Sequence, residues 1–198
     1  DNSFILSEPF LNIGNTLIIE RIKKRCLSKN KIYIAVNDFP DNLQKLKSFD
    51  DCKFINVGNT FGVIDTIKKS IEFIEEKVIN IIPITTIPDK PFNNKKSIYF
   101  GEKKISKENW SGISIDDKSL IKYFFKKDKL DFKNKCYPFT GRISSQKDNI
   151  REAIKELSDD QMFDLLNLGK ILISKYKHNY IFEKWYDAGH SATYFETK

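Results

Sequence analysis

Three apolar runs alternate with helical patterns between residues 31 and 84, and this rhythm limits the fold more than any other feature. Lys31-Ile32-Tyr33-Ile34-Ala35-Val36 reads as a buried strand, closed by Asn37-Asp38-Phe39-Pro40. A short helix is expected over 41–47 and a second strand over 52–57. Gly58-Asn59-Thr60-Phe61-Gly62 then turns the chain into an amphipathic helix over 63–76, with Ile64, Ile67, Ile71 and Ile74 on one face. A third, strongly apolar strand follows over 78–84. Strands joined through helices run parallel, because a parallel connection needs a crossover of a dozen or more residues. The expected class is therefore α/β, a mixed but mainly parallel doubly wound sheet with flanking helices.

The second half keeps the strands and shortens them. Strands are expected over 97–100, 112–115, 120–125 and 136–143, helices over 148–157 and 160–168, and a closing strand over 175–186. An entry helix over 15–24 sets Ile18, Ile19 and Ile22 on one side. No repeat or low-complexity linker divides the chain, so it reads as one domain over residues 1–198. It begins at Asp1 and its single methionine is Met162, which reads as an excised or processed chain, short at one or both ends.

Composition removes several function classes. Hydrophobic residues make up 40% of the 198 positions and aromatics 13%, which is enough for a packed core and argues against disorder. The 34 basic residues exceed the 27 acidic ones, giving a net charge of +7. Most are lysines scattered in pairs such as Lys23-Lys24, Lys95-Lys96 and Lys103-Lys104. A nucleic-acid face would concentrate arginine, so nucleic acid ranks last among the partners, behind an anionic small substrate. No apolar run is long enough to span a bilayer, and no secretory signal opens the chain; the expected location is cytoplasmic. Cys26, Cys52 and Cys136 are odd in number and widely spaced, which fits neither a disulfide framework nor a zinc site. His178 and His190 have no ligand-spaced neighbours.

The chemistry concentrates at predicted strand ends. Parallel sheets bind ligands outside the carboxyl ends of their strands. That rule selects Asn37-Asp38, Asn59-Thr60, Thr85-Thr86 and the turn in Trp185-Tyr186-Asp187-Ala188-Gly189-His190. Hydroxyls, amides and carboxylates suit phosphate-bearing and hydroxyl-rich ligands. Asp187 reads as a metal or hydroxyl ligand, or as the cap of a turn. No P-loop, G-x-G-x-x-G or nucleophile–base arrangement accompanies them.

Taken in order, these motifs resemble the nucleotidyltransferases that join a nucleoside triphosphate to a sugar phosphate and release pyrophosphate. Pro9-Phe10-Leu11-Asn12-Ile13-Gly14-Asn15-Thr16-Leu17 matches that family's early cadence, and Asn59-Thr60-Phe61-Gly62 its turn beside the base. The resemblance implies magnesium as cofactor and a nucleoside triphosphate and a sugar phosphate as partners. It implies Asn59, Thr60, Gly62, Thr85, Thr86 and Gly141 at the ligands, with Thr140-Gly141 beside the sugar. Lys126 or Lys127 would be the catalytic basic residue reaching the sugar phosphate, and Asp187 the metal-binding carboxylate. The stretch from His190 to Tyr194 resembles bacterial capsule and surface-polysaccharide products, some of which carry a further domain in the same polypeptide. Three departures set the alternative. The glycine-rich phosphate loop with its arginine would lie at or before residue 1. Glu8 stands where a lysine precedes the proline, and Thr85-Thr86 stands where a first metal-binding Asp is usual, with Asp89 further along. These motivate a catalytically inactive binding or scaffold relative as the second reading.

Overall fold

The computed structural model describes residues 12–13, 16–25, 31–37, 51–89, 91, 96–102, 110–118, 120–126 and 135–187. Asp38, the helix expected over 41–47, Lys127 and the 188–194 part of the aromatic–glycine motif lie outside them.

A two-residue ladder, β1 (Asn12–Ile13) with β2 (Thr16–Leu17), leads into helix α1 (Ile18–Arg25), whose Ile19 and Ile22 are buried as the spacing predicts. Strands β3 (Ile32–Val36) and β4 (Cys52–Asn56) then pair in parallel. Helix α2 (Val63–Ser70) follows and tightens into a 3₁₀ turn over Ile71–Phe73, so the expected 63–76 helix ends early. The Ser70 hydroxyl donates to the Thr66 carbonyl at 2.7 Å, a back-bond that disturbs the helical ladder there. Strand β5 (Val78–Ile81) stops short of the expected residue 84, because Pro83 has no N–H to donate and residues 84–85 turn into β6 (Thr86–Pro88).

The rest builds the main sheet. Strands β7 (Ser97–Gly101), β8 (Gly112–Ile115) and β9 (Ile121–Phe125) precede β10 (Lys135–Gln146), which is 12 residues long. Helices α3 (Lys147–Lys155) and α4 (Leu165–Ser174) follow, then β11 (Asn179–Glu183) and β12 (Trp185–Asp187). The six-stranded sheet has the order β11-β7-β10-β8-β9, with β5 also on β10. β10 is antiparallel to both β5 and β7, while β11 is parallel to β7, so β5, β7 and β11 share one direction and β10 is reversed among them. The mixed α/β class is the one the sequence predicts.

Burial explains the strands' composition. All five residues of β7 are buried, as a central strand covered on both faces requires, and its run is correspondingly apolar. Ile98 and Phe100 of β7 join Ile143 of β10, Ile150 and Ile154 of α3, Leu168 and Leu172 of α4, Ile64 of α2 and Ile71 of the 3₁₀ turn after it in one core. Each such aliphatic side chain contributes about 1.5–3 kcal/mol on burial.

Two boundaries differ from expectation. The helix expected over 160–168 begins instead at Leu165, because Asp164 caps it by accepting from the Leu166 N–H at 2.9 Å. A 3₁₀ turn over Asp159–Gln161, closed by a Ser158–Gln161 capping box, takes up the preceding residues. The closing strand starts at Asn179 rather than 175, since Lys175 still donates its N–H to the Ile171 carbonyl at 2.9 Å and Lys177 turns with φ 56°. It then breaks at Lys184 into β11 and β12.

Candidate active site

Three chain segments meet beyond the ends of β5, β7 and β11. β12 pairs antiparallel with β6, which sets Asp187 opposite Thr86 and Trp185 opposite Pro88. Both Asp187 and Thr86 are buried. The Thr86 hydroxyl donates to the Thr140 carbonyl of β10 at 2.8 Å, tying this small ladder to the main sheet.

The ladder between β10 and β7 slips between Phe139 and Ile143, and Gly141 sits in that irregularity with φ +80°. A Cβ there would lie 2.3 Å from Pro83 Cγ. Glycine is therefore required twice, by the backbone conformation and by the proline closing over it. This brings Thr86, Gly141 and Asp187 of the predicted site into one corner, with Thr85 in the turn just before Thr86.

Lys126 is exposed and follows Phe125, which pairs with Gly112; Gly112 in turn pairs with Pro138. That puts Lys126 two strand spacings, about 10 Å, across the sheet from the start of the Phe139–Gly141 segment. An aromatic pair packs at the end of β7. The Trp110 and Trp185 rings meet edge to face at 5.1 Å, and Trp185 rests on Gly101, where a Cβ would come within 2.5 Å of its indole nitrogen.

Asn59, Thr60 and Gly62 form a separate group in the turn after β4. Here the Phe61 N–H donates to Asp65 of α2 at 3.1 Å, the Thr66 hydroxyl reaches Thr60 Oγ1 at 3.0 Å and the Gly62 carbonyl at 3.1 Å, and Lys69 donates to the Asn59 carbonyl. Gly62 packs against the Met162 carbonyl, 2.8 Å from where a Cβ would be, which fixes the entry of α2 on the turn before α4. The Asn59 side chain is exposed.

Two charged residues that the sequence reading passes over lie beneath the corner. Arg142 of β10 is wholly buried and donates from Nη1 to Glu183 Oε2 at the end of β11. Its guanidinium carbon is 4.5 Å from the Tyr99 ring centroid. The Thr140 hydroxyl lies between the Tyr99 carbonyl at 3.0 Å and Glu183 Oε1 at 3.5 Å, and accepts from the Arg142 N–H at 3.3 Å. Burial pushes the Glu183 carboxyl up to about 7, against the opposing pull of Arg142 and the Thr140 hydrogen bond. One signal could have drawn notice: an arginine inside the apolar Tyr137–Ser145 run has to find a carboxylate.

Asp89 is the fallback carboxylate for the strand end. Its N–H donates to the Lys184 carbonyl at 3.3 Å, and it lies one residue past the end of β6 and three beyond Thr86. That is about 10 Å along the strand from the Thr86–Asp187 pair and on alternate sides of it. Among the described residues no group of three or more His, Cys, Asp or Glu side chains is arranged to hold a metal ion. Glu183 is engaged by Arg142, and Asp187, buried opposite Thr86, also has an interaction within the protein. Such a sparse donor set suits a magnesium ion shared with a ligand's phosphates, not one enclosed by protein.

No protein-family model matches the sequence, and no curated protein matches it. Solved structures do resemble it. A protein assigned as a glucose-1-phosphate thymidylyltransferase from Bacillus anthracis, in complex with sucrose, superposes with a TM-score of 0.75 over 98% of this chain and 86% of its own, at 14% identity. HddC from Yersinia pseudotuberculosis gives a TM-score of 0.67 at 13% identity, covering 97% of this chain and 88% of its own. A UDP-glucose pyrophosphorylase complexed with UDP-glucose gives 0.67 at 14% identity, covering 96% and 88%. At these identities the shared property is the fold, over nearly the whole of each chain.

Proposed function

We propose that this chain, which has the fold of the sugar-phosphate nucleotidyltransferases, transfers a nucleotidyl group from a nucleoside triphosphate to a sugar phosphate. The observation carrying the reading is the corner where Asp187, Thr86 and Gly141 converge at the sheet's carboxyl ends, the edge at which such sheets take ligands. An oxygen of the sugar phosphate attacks the α-phosphorus in line, the bond from that phosphorus to the β-phosphate oxygen breaks, and pyrophosphate leaves. No protein nucleophile is needed for this step. Asp187 would hold magnesium, which would neutralise charge on the phosphates during transfer. Lys126 or Lys127 would bind the acceptor phosphate as a point charge. The buried Thr140–Gly141 segment, packed under Pro83, would form the wall beside the sugar, and the turn with Asn59, Thr60 and Gly62 would receive the nucleoside.

Pyrophosphate release, measured over a panel of nucleoside triphosphates and sugar 1-phosphates with and without magnesium, tests this. Turnover with one pairing is expected. Binding of nucleotide without turnover by the full-length protein would favour the inactive binding module, the reading supported by the sparse carboxylates. A role in surface-polysaccharide synthesis, in the cytoplasm, is part of the proposal; among the described residues no helix is long and apolar enough to cross a membrane.

A further inference from the structure

We infer that the buried Arg142–Glu183 pair is a positioning device, which sets the Thr140–Gly141 segment against the β12 strand carrying Asp187. The inference rests on the transfer reading above. Its first support is connectivity. Thr140 is held at four points: its carbonyl accepts from Thr86, its hydroxyl lies between the Tyr99 carbonyl and Glu183, and that same hydroxyl accepts from the Arg142 N–H. Thr86 stands opposite Asp187, and Glu183 ends the strand that leads into β12. The Arg142 N–H is main chain, so the side-chain pair reaches Thr140 through Glu183 Oε1, with Arg142 Nη1 holding the other carboxylate oxygen. Glu183 thereby links the Thr140–Gly141 segment on the acceptor side to the strand leading to Asp187 on the metal side.

The second support is rigidity. Gly141 is fixed at φ +80° beneath Pro83, so a displacement of Thr140 has no slack next to it to absorb the change. The third is energetic. A wholly buried ion pair is poor evidence of stabilisation, because desolvation offsets the attraction and apolar pairs of similar volume are often as stable or more so. Arg142 also fills space over Tyr99 that a methionine would fill. Retaining two charges in this place is better explained by geometry at the adjoining site than by stability.

The double variant Arg142→Met with Glu183→Leu separates the two explanations. The expected result is a melting temperature at or above wild type together with a fall of about 100-fold in kcat/KM, the scale of a 1 Å misplacement. The loss should fall mainly on the sugar-phosphate KM. Glu183→Gln serves where the double variant does not fold: it keeps the shape and the Thr140 contact, and should raise the same KM with the nucleotide KM unchanged. Wild-type kcat/KM in a folded double variant, or activity falling only in step with the folded fraction, overturns the inference alone. A wild-type protein silent over the whole nucleotide and sugar-phosphate panel sinks the transfer reading and this inference with it.

Discussion

Thr86 on β6 and Thr140 on β10, 54 positions apart in sequence, are joined by a buried 2.8 Å hydrogen bond from hydroxyl to carbonyl. This bond spends the Thr86 hydroxyl proton on structure, so Thr86 supports the proposed site through Thr140 and through its register with Asp187. Thr86→Val removes the donor without changing shape and leaves a buried carbonyl unsatisfied. A loss of about 1–3 kcal/mol is expected. Thermal unfolding checks it, with Thr86→Ser restoring most of the difference.

Gly141→Ala should be costly for two separable reasons. Backbone strain at positive φ alone contributes about 1–3 kcal/mol. The clash with Pro83 adds to it, since the new Cβ would lie 2.3 Å from Pro83 Cγ. Pro83→Ala in the same chain should relieve the clash and leave the strain. Urea unfolding of the single and double variants will show partial, not full, recovery.

His178 is buried between β11 and the end of α4. Its Nδ1 is 3.0 Å from the Leu172 carbonyl and its Nε2 2.8 Å from Ser145 Oγ. The nitrogen facing a carbonyl must carry the proton, so Nε2 accepts from the serine in the neutral ring. Burial holds the imidazolium form down, lowering the pKa from 6.5. Below pH 6.5 the unfolded chain takes up a proton that the native state resists, so stability should decline as pH falls through that window. His178→Gln should flatten the acid slope of the melting temperature.

Glu183 has the opposite sign. Its native pKa of about 7 lies above the ordinary 4.5, so the native state binds the extra proton between those values. The associated stability is full below 4.5 and is lost as pH rises through 7. Melting temperature measured across that range should fall more for wild type than for Glu183→Gln.

Asp187→Asn tests the proposed metal role directly. Turnover should drop about 100-fold or more, as removal of a metal's charge stabilisation implies, and the magnesium concentration for half-activity should rise. Lys126→Met should instead raise the acceptor KM. An Asp187→Asn protein with unchanged magnesium response would remove Asp187 from the metal site.

The parts of the fold carried by local patterns were legible in the sequence. Val78, Ile98 and Ile113 sit in strands because short apolar runs between turn residues have few other uses. Gly141 is legible from the sequence as a turn glycine, and its φ of +80° beneath Pro83 gives the reason. Non-local facts were not legible. Nothing in the Lys135–Gln146 run announces that it runs against its neighbours, and the pairing of Arg142 with Glu183 spans 41 positions. The helix start at Leu165 is not legible, because the polar residues from Asp159 to Gln161 continue as a 3₁₀ turn and the Asp164 cap is seen only in the structure. The Thr86–Asp187 register likewise depends on the break at Lys184, which no periodicity marks.

β10 carries ladder bonds to three partners, β8 along its first residues and β5 and β7 along the rest. Its opening therefore cannot be a local event. The outer hairpin of β8 and β9 can fray while β10 stays paired to β5 and β7, whereas the amides of Ile143 and Ser144 are released only when the sheet comes apart as a unit. In hydrogen–deuterium exchange these positions should trade their protons at the rate of whole-molecule unfolding. The strand that supports the proposed site would then be the last part of the protein to yield.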